Sequence, residues 1–525
     1  TIHFVADYSV SGPVSTPAWS SVLYVELIAS NGSPLAQGKF KISEGRVEGA
    51  LHIPSESLTG NYYLKAYTRW MRNRGPQSFS YTALKIINPY RNEVVDLSRN
   101  GPVLRADRTA FKQGILECTT ASPLYRGGEE VELKVKGAST VLLDQLRSCI
   151  TVVPEGAVHL ENGSSIILPE PVQDSFRVKF LPDLSSEVSI SGTVVGPDLL
   201  PVSYATLHFA LLGKEPDFFA CMSDANGRFV LTVPRTIGDR LEFFVTPELE
   251  EGSGLEVRID QEFDSRAIAL PGETFTLAED EREVARKIAL NMQIARAFSP
   301  RAASGEAGSQ EALAEEVIAE GERVPFYGTR VNRLLIDDYV RLPNLEEVFL
   351  NLVPEIQFYK KKGETRIRFI STNESIGVYN PLIMIDHISV FDHEALLALS
   401  PEKIERVDLI NEIYLKGNVA FGGVLAIHSR KGDMAGIDLP KGSYFFDYQS
   451  LHTEVPPVGP SRIRGEREPD TRNTCFWARD VRLERDKETS LTFQAPENPG
   501  SYVIQVRGVL PGGEVFSASS RFSVE

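Results

Sequence analysis

Three pieces within residues 381–433 decide the reading of this chain: PLIMIDHISV at 381–390, LSPEKIERVDLI at 399–410 and FGGVLAIHSRKGD at 421–433. The first piece runs into Asp392 and His393, so Asp386, His387, Asp392 and His393 place two aspartates and two histidines within eight residues. That density invites a metal reading. On a strand, however, adjacent side chains point to opposite faces, so Asp386 and His387 are not expected to share one ion. No metal site and no cofactor are expected here.

Composition sets the outer limits. At 525 residues the chain exceeds one core, and its length suggests roughly three to four domains. Apolar residues make up 42% and charged residues 24%, a globular rather than disordered balance. With 55 Lys+Arg against 71 Asp+Glu, the net charge is −16, which argues against a nucleic-acid footprint and a polybasic membrane surface. The four cysteines, Cys118, Cys149, Cys221 and Cys475, show no CxxC spacing. Cys118 and Cys149 fall in one expected domain and are open to two readings, a disulfide in an oxidising compartment or small buried apolar residues. No run of about 18 apolar residues is present, so no helical membrane span is expected. The chain opens on TIHFVADYSV, a strand pattern already under way, which reads as part of a longer precursor.

Along the chain, short alternating bursts separated by turns (VLYVELIAS, YYLKAYTRW, ALKIIN) predict a β-sandwich over 1–90. A second sandwich is expected over 91–182, on weaker patterns such as ELKVKG and FRVKFLPD. ISGTVVGPDLLPVSYATLHFALL and CMSDANGRFVLTVP predict a third over 187–272, with Asp224-Ala225-Asn226-Gly227 as a tight hairpin turn rather than a calcium loop. Residues 276–298 form the one long predicted helix. Thr276 with Glu279 reads as its capping box, and Val284, Ile288, Met292 and Ala295 as its packed stripe. The Ala/Gly/Ser/Glu-rich stretch that follows completes a helix-and-linker region over 273–324, its linker read as mobile. An α/β domain is expected over 325–433 and a C-terminal sandwich over 440–525. The fold class is therefore mainly β and multi-domain: tandem Ig-like sandwiches plus one α/β domain.

These segments carry resemblances. Residues 381–433 resemble the second half of the plug domain of TonB-dependent outer-membrane receptors, on the strings quoted above. A receptor barrel of about 22 strands needs roughly 400 residues or more, and only 93 follow Gly432 (525 − 432), so the expectation is a plug fold without its barrel. In such plugs the position after Asp386 is normally Gly, and His387 departs from that pattern. Leu23-Tyr24-Val25-Glu26-Leu27 and Gly60–Thr68 resemble the macroglobulin module of α2-macroglobulin-like proteins, and Trp70–Pro76 a bacterial envelope branch of them. The DANG segment, with Gly192, Pro201, Ala205 and Phe229, resembles the carboxypeptidase regulatory-like domain. Asn473-Thr474-Cys475-Phe476-Trp477 resembles the Trp strand of macroglobulin-like sandwiches. None of the cysteines stands in the Cys-Gly-Glu-Gln string that a thioester trap requires.

No GxSxG, HExxH or GxxxxGK[ST] string is present. Asp337 and Asp338 are expected to stabilise the N-terminus of the helix LEEVFLNLV. Trp70 and Arg72 read either as a binding hot spot or as strand core. No catalytic residue is assigned. The resemblances imply a non-enzymatic interaction scaffold of the Gram-negative envelope, whose partner is an envelope protein such as an outer-membrane barrel. The alternatives are a glycan- or peptide-binding module serving nutrient uptake, for which the aromatic run Tyr444–Gln449 is the candidate platform, or an enzyme with an unrecognised site. Partner contact is expected at the basic clusters Lys360, Lys361, Lys362 and Arg430, Lys431, which either steer an acidic partner or are solvated loop ends.

Overall fold

The computed structural model describes residues 1–8, 20–95, 107–108, 111–112, 114–137, 146–158, 165–167, 188–213, 216–233, 240–248, 254–266, 268, 270–272, 274–298, 325–328, 331–361, 363–452, 469–483, 487–510 and 514–525. The expected linker, the FRVKFLPD string and Lys362 lie outside the described residues. The chain is mainly β, as its alternation requires, and divides into two compact units. One comprises Thr1–Ser186, Phe263–Ala307 and Leu451–Glu525, the other Glu187–Glu262 and Gly308–Ser450.

In the first unit, Val22–Ala29 is an inner strand of a six-stranded sheet, between Pro34–Lys41 and Gly60–Tyr67. It is buried on both faces. Leu23, Val25 and Leu27 enter one apolar core with Phe40, Val47 and Tyr62. Tyr24 on the opposite face stacks on Tyr67 at 5.5 Å and meets Phe263 edge-on at 5.7 Å.

Glu26 on that same face is paired with Lys65 at 2.8 Å and accepts hydrogen bonds from Tyr67 and Gln37. Lys65 also donates to the Asp264 carbonyl, and the Asp264 N–H to the Tyr67 hydroxyl. The Asp264 carboxylate is held by Arg266 and, at 3.4 Å, by Arg72. Trp70 and Arg72 lie in the 3-10 turn Trp70–Asn73 instead of on a strand, and Arg72 is the buried one.

The stretches 91–182 and 440–525 do not form separate sandwiches. Glu130–Gly137 pairs with Glu488–Gln494, and Arg147–Pro154 sits between Phe476–Arg482 and Gly500–Val509. One core takes Val131, Leu133, Val135 and Val152 from the early segment and Phe493, Ile504, Val506 and Phe522 from the late one. The physical reason is that the described strands of each segment bury their apolar faces against those of the other.

The helix Glu279–Phe298 is capped through Glu281, whose carboxylate accepts from the Ala278 N–H, and not through Thr276 and Glu279. Of its expected stripe, Val284 is buried and Met292 is exposed. All four cysteines are free thiols. Cys118 and Cys149 are therefore not a disulfide, and burial pushes the thiols of Cys118 up to about 11 and of Cys221 and Cys475 up to about 12.

In the second unit, Val188–Val195 lies between Arg228–Val233 and Glu256–Ile259, facing a four-stranded sheet of Asp217–Met222, Thr206–Leu212, Arg240–Pro247 and Tyr444–Gln449. The last of these strands was expected in the C-terminal sandwich. Phe446, stacked on Phe243 at 5.6 Å, and the buried Tyr448 tie it here, so most of this aromatic run is core and not an open platform.

The turn at Asp224 takes the expected form. Its carboxylate accepts from the Asn226 and Arg228 N–H groups, and Gly227 has φ +71°. A Cβ there would lie 2.8 Å from Pro201 and 2.9 Å from the Val202 nitrogen.

The α/β part of this unit is a five-stranded sheet ordered Asn332–Leu335, Ile404–Lys416, Val419–Ser429, Leu382–Ile385, Ile388–Ser389. Leu382–Ile385 runs parallel to Val419–Ser429 and is apolar on both faces, as an inner parallel strand must be. One face packs Val407, Leu409, Leu425 and Ile427 against the helices Leu345–Leu352 and His393–Leu397 and the hairpin Ile356–Lys361/Glu364–Phe369. The other packs Leu382, Met384, Val424 and Ala426 against Phe218 and Ala220.

Candidate functional site

Asp386 and His387 do not alternate along a strand. They are the two central residues of a tight hairpin turn, with Ile385 paired to Ile388 and φ of +48° and +69°. The turn therefore survives His387 in the place where Gly is unstrained, at a conformational cost. The Asp386 carboxylate accepts from the Ser429 N–H (2.8 Å), the Ser429 hydroxyl (2.6 Å) and the Met434 N–H (2.8 Å). Asp392 caps the helix His393–Leu397 by accepting from the Ala395 N–H, and His393 Nδ1 accepts from the Ile367 N–H at 3.0 Å. Three of the four residues are thus bound to main chain. Among the described residues, no group of three or more His, Cys, Asp and Glu is arranged to hold a metal ion.

Asp337 and Asp338 do not cap the helix Leu345–Leu352. Asn344 does, accepting from the Glu347 N–H. Asp337 instead clamps Arg430 through two hydrogen bonds of 2.6 and 3.0 Å.

A polar cluster that sequence reading missed lies at the buried Asp408. Tyr327 donates to Asp408 at 2.8 Å, and His428 Nε2 sits 2.9 Å from the Tyr327 hydroxyl. Arg333 donates to the other carboxylate oxygen at 2.9 Å, and Arg406 approaches at 3.6 Å. With Tyr327 donating to Asp408, neutral His428 carries its proton on Nε2 and donates it to the phenol oxygen. Burial, then the Arg406 charge, pulls His428 down to about 4. Burial, then the Asp408 contact, raises the Tyr327 phenol. His387, also lowered by burial, faces His428 edge-on at 5.8 Å, and its Nδ1 has no hydrogen-bond partner among the described residues. The cluster ties together the segment 325–328 and three strands of the sheet. The one signal for it in the sequence was Asp408 set between the apolar Val407 and Leu409 of IERVDLI.

The expected contact residues are not equivalent. Arg430 is neutralised by Asp337 and also donates to the Glu402 carbonyl, while Lys431 is exposed. Lys360 donates to the Thr365 hydroxyl at 2.7 Å and reaches Glu394 at 3.3 Å. Lys361 is exposed on the solvent face of the 356–369 hairpin. On that face the register pairs Gln357 with Arg368, Tyr359 with Arg366 and Lys361 with Glu364, and Arg368 lies over the Tyr359 ring at 5.3 Å. Ile356, Ile367 and Phe369 point to the core. Sequence reading missed Arg366 and Arg368, although the alternation in ETRIRF sends both to one face.

No protein-family model matches the chain, and no curated protein matches it. It shows weak structural similarity to bacterial α2-macroglobulins. With Salmonella α2-macroglobulin reacted with methylamine, identity is 9% and the TM-score 0.21, over 100% of this chain and 38% of that one. With trypsin-activated α2-macroglobulin from Escherichia coli, the values are 8% and 0.19, over 99% and 40%. With the Escherichia coli protein activated by porcine elastase, they are 10% and 0.20, over 99% and 42%. The chain thus spans about two-fifths of the solved chains it matches.

Proposed function

We propose that this chain is a non-enzymatic interaction scaffold of the Gram-negative envelope, docking to an outer-membrane or envelope assembly through its α/β region at 325–433. The resemblance of 381–433 to receptor plug domains motivates the compartment. One observation carries the docking reading: the described residues of the 356–369 hairpin include four cations (Lys360, Lys361, Arg366, Arg368) against one carboxylate of their own (Glu364), with Glu394 beside Lys360, on a chain of net charge −16. Such a patch steers an acidic partner, more strongly at low salt. Asp386, Asp392, His393 and Asp408 are spent on local structure, which supports a binding role over catalysis.

A second reading, peptide binding, draws on an open, mainly apolar pocket of about 310 Å³ in the first unit, where Leu35, Leu58, Tyr62 and Val95 stand with Glu56 and Ser57.

The test is a photo-crosslinking amino acid placed at position 361 or, as control, at position 230 in cells of the native host. Adducts to an envelope protein at 361 and none at 230 are expected. Adducts at neither position, or equally at both, would remove the docking assignment.

A further inference from the structure

The two outer edges of the 356–369 hairpin are treated differently. Along Glu364–Phe369 the edge is closed by side chains: the Ile367 N–H donates to His393 Nδ1 at 3.0 Å and the Thr365 N–H to Glu394 Oε1 at 2.9 Å. Those bonds also fix the phase of the ladder. Ile367 and Thr365 point away from the partner strand, so the residues opposite them, Phe358 and Lys360, point outward on the other side. Among the described residues, no group bonds the outward N–H of Phe358 or Lys360. Among the described residues, one edge of the ribbon is sealed and the other is open.

We propose that the open edge of Ile356–Lys361 takes an extended acidic segment of a partner as an added strand. Main-chain hydrogen bonds at Phe358 and Lys360 supply the pairing, and the cations beside them select the charge. Lys361 and Arg368 line the solvent face next to that edge, and Tyr359 gives an apolar ring between charges. Strand addition needs only a few exposed main-chain groups, because selectivity comes from alternate side chains. The inference rests on the scaffold reading above and names the chemistry of its partner.

The experiment uses the full chain and a fluorescent dodecapeptide of alternating Thr and Glu, with a Thr/Lys peptide as control, followed by anisotropy. The acidic peptide should bind and the basic one should not. Lys360→Pro removes one outward N–H together with the Lys360 side-chain contacts to Thr365 and Glu394 and leaves the inward ladder through Tyr359 and Lys361 intact, so it should weaken binding by about tenfold relative to Lys360→Gln, which removes the charge alone, at a melting temperature matching that variant's. Lys361→Glu keeps every main-chain group and should weaken binding at low salt, with the difference closing at high salt. On the wild-type chain, bound peptide should slow amide exchange at Phe358 and Lys360 without changing it at Thr365 and Ile367, a readout independent of either variant.

Equal binding of the two peptides, or exchange protection elsewhere, would overturn the proposal. So would a concentration-dependent dimer that Lys360→Pro abolishes, because a second copy would then own the edge. Crosslinks at position 361 that persist in Lys360→Pro would leave the scaffold standing and remove strand addition. Crosslinks absent at 361 with peptide binding intact would do the reverse.

Discussion

Each unit buries a charged cluster, and the two are built from different chemistry. In the first, Glu26, Lys65, Asp264, Arg72 and Arg266 carry fixed charges that enclose one another. Burial alone would raise the Asp264 carboxyl, but the hydrogen bonds and charge of Arg266, with Arg72, outweigh it and hold it below the usual range. In the second unit Asp408 leans on Tyr327 and a neutral imidazole, and buried histidines recur nearby: His393 against Ile367, and His208, whose Nδ1 meets the Ser389 hydroxyl at 2.7 Å. Because the Asp264 carboxyl is held below its usual range, the stability it contributes is kept until the pH falls below the ordinary carboxylate range. Imidazoles kept neutral by burial make a structure that acid weakens.

The largest single-site effect is expected in the clamp. Glu26→Gln leaves Lys65 buried without its counter-charge and should cost about 3–5 kcal/mol in denaturant unfolding. A loss under about 1 kcal/mol would mean that Lys65 is compensated elsewhere and that the cluster does not act as a unit. Gly227→Val should cost at least about 2 kcal/mol, because a β-branched residue is forced to φ +71° and its Cβ meets Pro201 and the Val202 nitrogen. The loss should appear in the second unit alone, read by exchange protection of Arg228–Val233 against Gly60–Tyr67. The smallest effect runs the other way: His387→Gly should stabilise the second unit by about 1 kcal/mol, by relieving the left-handed conformation and removing an unpartnered ring nitrogen. Destabilisation by that change would show that the His387 ring packs more productively than its geometry implies.

Local pattern carried the parts of the fold that depend on neighbours in sequence. The continuous apolar run VLYVELIA, the period of two in RFVLTV and the Asp-x-Asn-Gly turn translate directly into strands and a hairpin. Pairings between distant segments were not legible. Nothing in Phe476–Arg482 says that its neighbour is Arg147–Pro154, because alternation identifies a strand's faces but not the strand beside it. For the same reason Tyr444–Gln449 was placed in the wrong sandwich. The Asp386-His387 turn was hidden because His stands where Gly would have announced it. At the candidate site, the lysine cluster was visible as a string, whereas Arg366, Arg368 and the closed and open edges depend on register. The pairing of Arg430 with Asp337, 93 residues earlier, was equally out of reach.

The contrast between the charge cluster around Glu26 and Asp264 and the buried histidines around Asp408, Ile367 and Ser389 is tested most directly by amide exchange on the full chain at pH 7 and pH 5, corrected for intrinsic rates. Burial holds His428 and His393 at about 4 and His208 at about 3, all below their unfolded value near 6.5. The unfolded chain therefore binds protons first. The stability these groups contribute is complete above about pH 6.5 and falls by about 1.4 kcal/mol for each pH unit and each histidine until their folded values are reached. At pH 5 that amounts to about 2 kcal/mol from each of the three. Protection of Ile404–Lys416 and Thr206–Leu212 should drop while that of Val22–Ala29 and Gly60–Tyr67 holds. Equal losses in both units, or an earlier loss in the first, would contradict the contrast.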